Sequence, residues 1–164
     1  MPRQKVKYIT INTDASFNPE HHTAGYAFTI VCDQFRIKKS GMFKTRPETS
    51  QQAEIMCIGN ALSTLAAQPE LPTCDCLIVN TDCKGAMSEI THQATQLGKR
   101  VHGMYEKLSK KLDNKHFQFK HVKAHTNVKD PRSIVNRWCD TEAKKWMRLA
   151  TTKHLINPHL YIEQ

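Results

Sequence analysis

The chain has 164 residues, with 24 Lys and Arg against 15 Asp and Glu, a formal net charge of +9 at pH 7 and a pI near 9.4. That length suits one domain around a single core, and the share of apolar residues excludes a disordered chain. No run of about 18 apolar residues is present to cross a bilayer, and the start MPRQKVKYITINTD lacks the apolar centre of a signal peptide. A soluble cytoplasmic protein without membrane attachment is therefore expected, its excess positive charge favouring polyanions such as nucleic acid.

Along the chain, KVKYITINT (5–13) and AGYAFTIVC (24–32) are rich in β-branched and aromatic residues, and FRIKKSGMFK (35–44) follows after the short turn Asp33-Gln34. Short connections between three successive strands predict an antiparallel meander. PETSQQAEIMCIGNALSTLAAQ (47–68) has a cap at Thr49 or Ser50 and an apolar stripe at Ile55, Ile58, Leu62 and Leu65, which is helical spacing. CLIVNT (76–81) is nearly all apolar, as in a parallel strand covered on both faces, and the preceding helix is its natural crossover. From Cys83 to about Asp113 the pattern is helical, with a break near Thr91–Ala94 or at Gly98. HFQFKHV (116–122) alternates as another strand, KAHTNVKDPRS (123–133) is polar, and IVNRWCDTEAKKWMRLA (134–150) reads as a final helix with Cys139, Ala143, Trp146, Met147 and Ala150 on its apolar side.

The order β-β-β-α-β-α-β-α predicts an α/β fold, a five-stranded mixed sheet with helices on both faces, formed by a single domain at 1–150 with a C-terminal tail at 151–164. Four of the six cysteines (Cys32, Cys57, Cys74, Cys76, Cys83, Cys139) fall within apolar stretches of these elements, where a reduced thiol serves as a small core side chain. Cys74 and Cys76 have no second pair at zinc-finger spacing, which argues against a structural zinc site.

Four carboxylates occupy unusual places. Asp82 follows the apolar strand LIVNT directly, at the carboxyl end where sites form in open α/β sheets. Asp14 closes the first strand, although an aspartate before Ser16 and Asn18 also suits an ordinary turn. Glu54 shares the apolar face of its helix with Ile58 and Leu65, where an unpaired charge is costly; the helix dipole offers a simpler reason for a glutamate in a first turn. Asp140 has Ala143 and Met147 on its side of the last helix, or pairs at the stripe's edge with Lys144. If the four converge, they repel one another unless a divalent cation lies between them. Mg²⁺ takes oxygen ligands and leaves positions for water and phosphate, so the acids together point to metal-dependent phosphodiester cleavage.

Asp14 in TDAS, Glu54 in SQQAEIM, Asp82 in VNTDCKGA and Asp140 in NRWCDTEA, each on the corresponding element, resemble the four-carboxylate set of type 1 ribonucleases H. VKAHT resembles the family's histidine loop, which puts His125 on the catalytic histidine, and Asn136 matches an asparagine near the last aspartate. The resemblance covers residues 6–149. It implies the ribonuclease H-like fold and hydrolysis of the RNA strand of an RNA/DNA hybrid. Two Mg²⁺ ions, or Mn²⁺ in their place, would be held by Asp14, Glu54, Asp82 and Asp140, and the products would carry 5′-phosphate and 3′-hydroxyl ends. It further implies hybrid contacts from Ser16 and Asn18 in the first loop, from Ser50 and Gln51 at the start of the first helix, and from Asn136. The basic helix and loop that several family members carry are missing here.

In their place, residues 99–132 hold ten Lys and Arg against three acids, with Arg100, Lys107 and Lys111 on one helical face. Such a stripe suits either an ordinary solvated face or a surface that tracks phosphates. His121 and His125 form H-x-x-x-H, but they leave a strand and enter a loop, which disfavours zinc. A monomer is expected. Two other functions fit the same fold: a resolvase- or transposase-like DNA endonuclease, and a non-catalytic hybrid-binding module. The first lacks a separate DNA-binding segment here, and the second has no need of four acids.

Overall fold

The computed structural model describes residues 3–114, 116–121 and 131–156. Its elements are β1 (Lys5–Asn18), β2 (Thr23–Val31), β3 (Arg36–Met42), α1 (Ser50–Ala66), β4 (Thr73–Thr81), α2 (Lys84–Thr91), α3 (Gln96–Lys111), β5 (His116–His121) and α4 (Pro131–Ile156). They form one five-stranded sheet in the order β3-β2-β1-β4-β5. The first three strands pair antiparallel as the predicted meander, while β4 and β5 continue the sheet parallel to β1. The expected α/β architecture is therefore present.

Alternation along β2 assigns the two faces. Phe28 belongs to the main core with Ile9, Ile11, Ile55, Ile58, Leu62, Leu65, Leu77 and Val79, whereas its neighbour Ala27 packs with Cys139 and Ala143 of α4. Successive strand residues point to opposite sides, so α1 and α3 cover one face and α4 the other. The helix stripe read from the sequence, Ile55, Ile58, Leu62 and Leu65, is fully buried. α4 lies close on the sheet because β2 carries a glycine beneath it. A methyl at Gly25 would stand 2.5 Å from the Met147 nitrogen and closer still to the Ala143 carbonyl oxygen.

Several boundaries differ from the sequence reading, each for a local reason. The helical stretch after β4 is two helices, divided at the first of the two expected places; Gln93 takes φ 51° there and the Thr95 hydroxyl caps α3 by accepting from the Gly98 amide at 3.0 Å. Gly98 itself lies within the first turn of α3. Thr49, rather than Ser50, caps α1, its hydroxyl accepting from the Gln52 amide at 3.1 Å. The last helix continues past Ala150 to Ile156; the Thr151 and Thr152 hydroxyls donate back to the Met147 and Arg148 carbonyls, and Thr151 meets Thr23 of β2 at 2.5 Å. β1 also runs on through Asp14 to Asn18, since pairing with β2 persists to Asn18 opposite Thr23. All six cysteines are free thiols, and Cys57, Cys74, Cys76 and Cys139 are buried.

Candidate metal centre

Two neighbouring parallel strands bring the first pair of acids together. β1 holds Asp14 opposite Ala27 of β2, and β4 releases Asp82 immediately after Thr81, with Asn12 in register with Asn80. Asp14 is thus a residue inside a strand, and the turn comes later, where the Asn18 side chain accepts from the amides of Glu20 at 2.9 Å and His21 at 3.2 Å. Glu54 reaches in from the first turns of α1. It is 9% exposed, in keeping with its place on the apolar stripe. One oxygen from each of Asp14, Glu54 and Asp82 lies within 4.8 Å of the others.

The described donors satisfy Asp14 and Glu54 poorly. The Ala15 amide donates to Asp14 Oδ1 at 3.0 Å and also to Glu54 Oε1 at 3.3 Å, so two carboxylates share one hydrogen. Glu54 Oε2 is buried with no hydrogen-bond partner among the described residues. Burial, followed by the charges of Asp82 and Asp140, pushes the Asp14 carboxyl up to about 8. Burial, with the charges of Asp14 and Asp82 behind it, likewise holds Glu54 well above the usual carboxylate range. An orphaned carboxylate oxygen facing two further acids fits a divalent cation, which would restore the ionised forms and fill the vacant acceptor.

Asp140 stands beside the trio. Its charge helps to raise Asp14, yet its Oδ2 is held by Lys144 Nζ at 2.9 Å, the ion pair that the sequence offered as the simpler reading. Lys144 in turn lowers the Asp14 carboxyl, so it partly offsets the repulsion. Asp140 is thus ion-paired, as the simpler reading had it, and near enough for its charge to act on Asp14, but it is not among the acids whose oxygens lie within 4.8 Å of one another.

The remaining sequence candidates are scattered more widely. Ser16 lies in β1 opposite Gly25, and the Asn18 side chain is engaged in its turn. Ser50 opens α1, and the Gln51 amide donates to Glu89 of α2 at 2.9 Å. Asn136 is half-buried in α4, and His125 lies outside the described residues. Arg100, Lys107 and Lys111 are exposed on α3, but the end of that helix meets the start of β4, where the Cys74 amide donates to the Leu112 carbonyl. The structure does not bring Lys107 and Lys111 to the acids, because β4 runs its full length between that contact and Asp82. His121 is closer than the sequence suggested, its Nε2 lying 3.0 Å from the Asp82 carbonyl oxygen. Asn12 and Asn80 escaped notice, though both precede an acid by two residues and both are buried.

A family model described as RNase H matches residues 6–148. Among solved structures, the chain is similar to RNase H1 from the halophilic archaeon Halobacterium salinarum, at 15% identity and a TM-score of 0.61, over 87% of this chain and 99% of that one. It is also similar to the N-terminal RNase H domain of a Mycobacterium tuberculosis protein, solved as a fusion with maltose binding protein, at 13% identity and 0.61, over 90% and 98%. A third likeness, at 15% identity and 0.62 over 87% and 99%, is to LC11-RNase H1, solved in complex with an RNA/DNA hybrid. Among curated proteins none matches the sequence.

Proposed function

The chain belongs to the RNase H family, and from that membership we propose that it is a metal-dependent endoribonuclease that hydrolyses the RNA strand of RNA/DNA hybrids. The observation that carries the reading is the meeting of Asp14, Glu54 and Asp82 within 4.8 Å, with a buried Glu54 oxygen that has no hydrogen-bond partner among the described residues, on elements that match those bearing the family's acids. A structural neighbour solved with an RNA/DNA hybrid bound supports the same substrate class.

In this proposal Asp14, Glu54, Asp82 and Asp140 hold two Mg²⁺ ions, with Mn²⁺ as a substitute. When bound, such ions supply activation of the attacking water and stabilisation of the leaving oxygen of a phosphodiester. Asp14 is central, since it lies on the strand beside the one that ends at Asp82 and shares its amide donor with the helix-borne Glu54. Lys144 orients Asp140, its Nζ 2.9 Å from Oδ2. His125 moves a proton during product release, a role suited to a side chain that titrates near neutrality. The cleaved strand ends in a 5′-phosphate and a 3′-hydroxyl. Ser16, Asn18, Ser50, Gln51 and Asn136 contact the hybrid around the cut, while Arg100, Lys107 and Lys111 meet its phosphates farther along the duplex. The protein acts as a monomer in the cytoplasm; no helix among the described residues is long and apolar enough to cross a membrane.

The test is cleavage of end-labelled RNA/DNA hybrid, duplex RNA, single-stranded RNA and duplex DNA with Mg²⁺, Mn²⁺ or EDTA, alongside Asp82→Asn. Cuts confined to the RNA of the hybrid, dependent on metal and lost in the variant, are expected. Cuts in DNA would replace the reading with a resolvase-like enzyme, and hybrid binding without cuts under either metal would replace it with a binding module.

A further inference from the structure

The tripeptide Asn-Thr-Asp occurs twice, at 12–14 and at 80–82. The sheet sets the two copies side by side in parallel, with Asn12 opposite Asn80, so that each copy delivers one aspartate of the candidate centre. Amides are unexpected at the first position of each copy, since both strands are covered and a buried polar side chain is costly unless it is hydrogen-bonded.

Here the amides find each other. Asn80 Nδ2 donates to Asn12 Oδ1 at 2.9 Å, and Asn12 Nδ2 donates onward to Thr29 Oγ1 at 3.2 Å, which makes a buried row across β4, β1 and β2. The Thr13 hydroxyl adds a longer bond to the Asn80 carbonyl at 3.4 Å. The same stretch of β1 is gripped by both helices that carry the other acids. Cys57, three residues after Glu54, donates its thiol to the Asp14 carbonyl at 3.3 Å, and Cys139, next to Asp140, approaches the Asn12 carbonyl at 3.9 Å. Residues 12–14 are therefore tied to every other element that bears a candidate ligand.

We propose that Asn12 and Asn80 are positioning residues, a side-chain clasp that fixes the spacing of Asp14 and Asp82 for a divalent cation; the inference rests on the metal-centre reading given above. Backbone pairing sets the register of two strands, but a specific amide contact between them also fixes how far they shear and twist at the point where the acids emerge. Stability alone is a poor explanation for the row. Among the described residues Asn80 Oδ1 is buried without a partner, a desolvation cost that two apolar side chains of similar shape would not carry.

The distinguishing experiment replaces the row with apolar groups, as Asn12→Leu, Thr29→Val and Asn80→Leu together. Mn²⁺ uptake is followed by electron paramagnetic resonance, urea unfolding is followed in EDTA, and Asp14→Asn serves as the control for specific uptake. The triple variant is expected to unfold at a urea concentration equal to or above that of the native protein, yet to bind Mn²⁺ about tenfold more weakly, the lower end of what orienting partners contribute. Stability and affinity thus move apart, which a merely structural row would not produce. Asn80→Ser, which removes the clasp with a small hydroxyl, is read by the same criterion if the triple variant does not fold. Native uptake matched by these variants within about twofold, well short of the tenfold loss expected from orienting partners, overturns the clasp alone. No Asp14-dependent uptake by the native protein overturns the metal centre itself, and the clasp with it.

Discussion

Replacing Asp14 with Asn removes a charge from a buried cluster with almost no change in volume and leaves an oxygen to accept from the Ala15 amide. In the metal-free fold, Asp14 rises from 3.8 to about 8 through burial and the nearby charges of Asp82 and Asp140. At pH 7 the folded chain must therefore keep a proton that the unfolded chain has released, at a cost of about 4 kcal/mol if the site stays rigid. Relaxation among the acids lowers this, so Asp14→Asn should stabilise the EDTA-treated protein by on the order of 2 to 4 kcal/mol, or roughly 5 to 12 °C in Tm for a domain of this size. The folded state binds more protons than the unfolded state between these two values. Native stability is therefore greatest below about pH 4, falls as pH rises through about 8, and then levels off. Glu54 is raised as well and adds a slope of the same sign in both proteins. Urea unfolding in EDTA from pH 4 to 9 should show the variant's advantage at pH 7 vanishing towards pH 4. Mg²⁺ should narrow the gap at pH 7 by binding the native fold preferentially. A variant no more stable than the native protein at pH 7 in EDTA, or an advantage that persists undiminished at pH 4, would refute the reasoning.

Three further outcomes are expected. His125→Ala should slow hybrid cleavage by about 10² to 10³ while leaving measurable turnover, as for loss of one proton-transfer group; complete loss in single-turnover assays would show that it does more than move a proton. Neutralising Lys107 and Lys111 together to Gln should raise KM for long hybrids and flatten the slope of log KM against log salt by about one to two, with kcat unchanged. Equal kinetics across the salt series would leave these lysines as a solvated face. Gly25→Ala should destabilise the protein by about 3 kcal/mol or more, because the new methyl meets the backbone of α4 rather than a side chain that can turn aside; a chemical-denaturation midpoint close to native would mean that α4 can lift from the sheet at little cost.

The strands and helices were legible where periodicity is strong. The β-branched runs at 5–13 and 24–32 and the stripe from Ile55 to Leu65 follow from a single local rule each, and all are found in the fold. Boundaries were less legible because partners decide them: β1 continues through Asp14 only because β2 pairs with it, and α4 continues past Ala150 while its threonines bond back onto the helix. Among the acids, Glu54 was readable from its place on an apolar face. Asp140 carried two signals at once, an ion pair at i+4 and a place beside the other acids; the fold forms the ion pair and leaves Asp140 outside the close trio. The Asn12–Asn80 contact depends on the register between strands that are far apart in sequence, which no local pattern reports, although the repeated tripeptide was a clue. Lys107 and Lys111 illustrate the opposite limit. Helical spacing placed them on one face but could not say at which end of the sheet that face lies.

The outer strands of the sheet, β3 and β5, give the chain's positive charge a second meaning. An outermost strand presents unpaired backbone groups to which another chain can add. β3 carries Arg36, Lys38 and Lys39 within seven residues, and β5 carries Lys120. Two copies approaching edge to edge would set like charges against each other, so part of the +9 guards against self-association rather than attracting a polyanion. Salt acts on both roles at once: the ionic strength that loosens the grip on nucleic acid also removes the electrostatic barrier between neighbouring copies, and the protein is best kept dispersed under the conditions in which it binds most tightly.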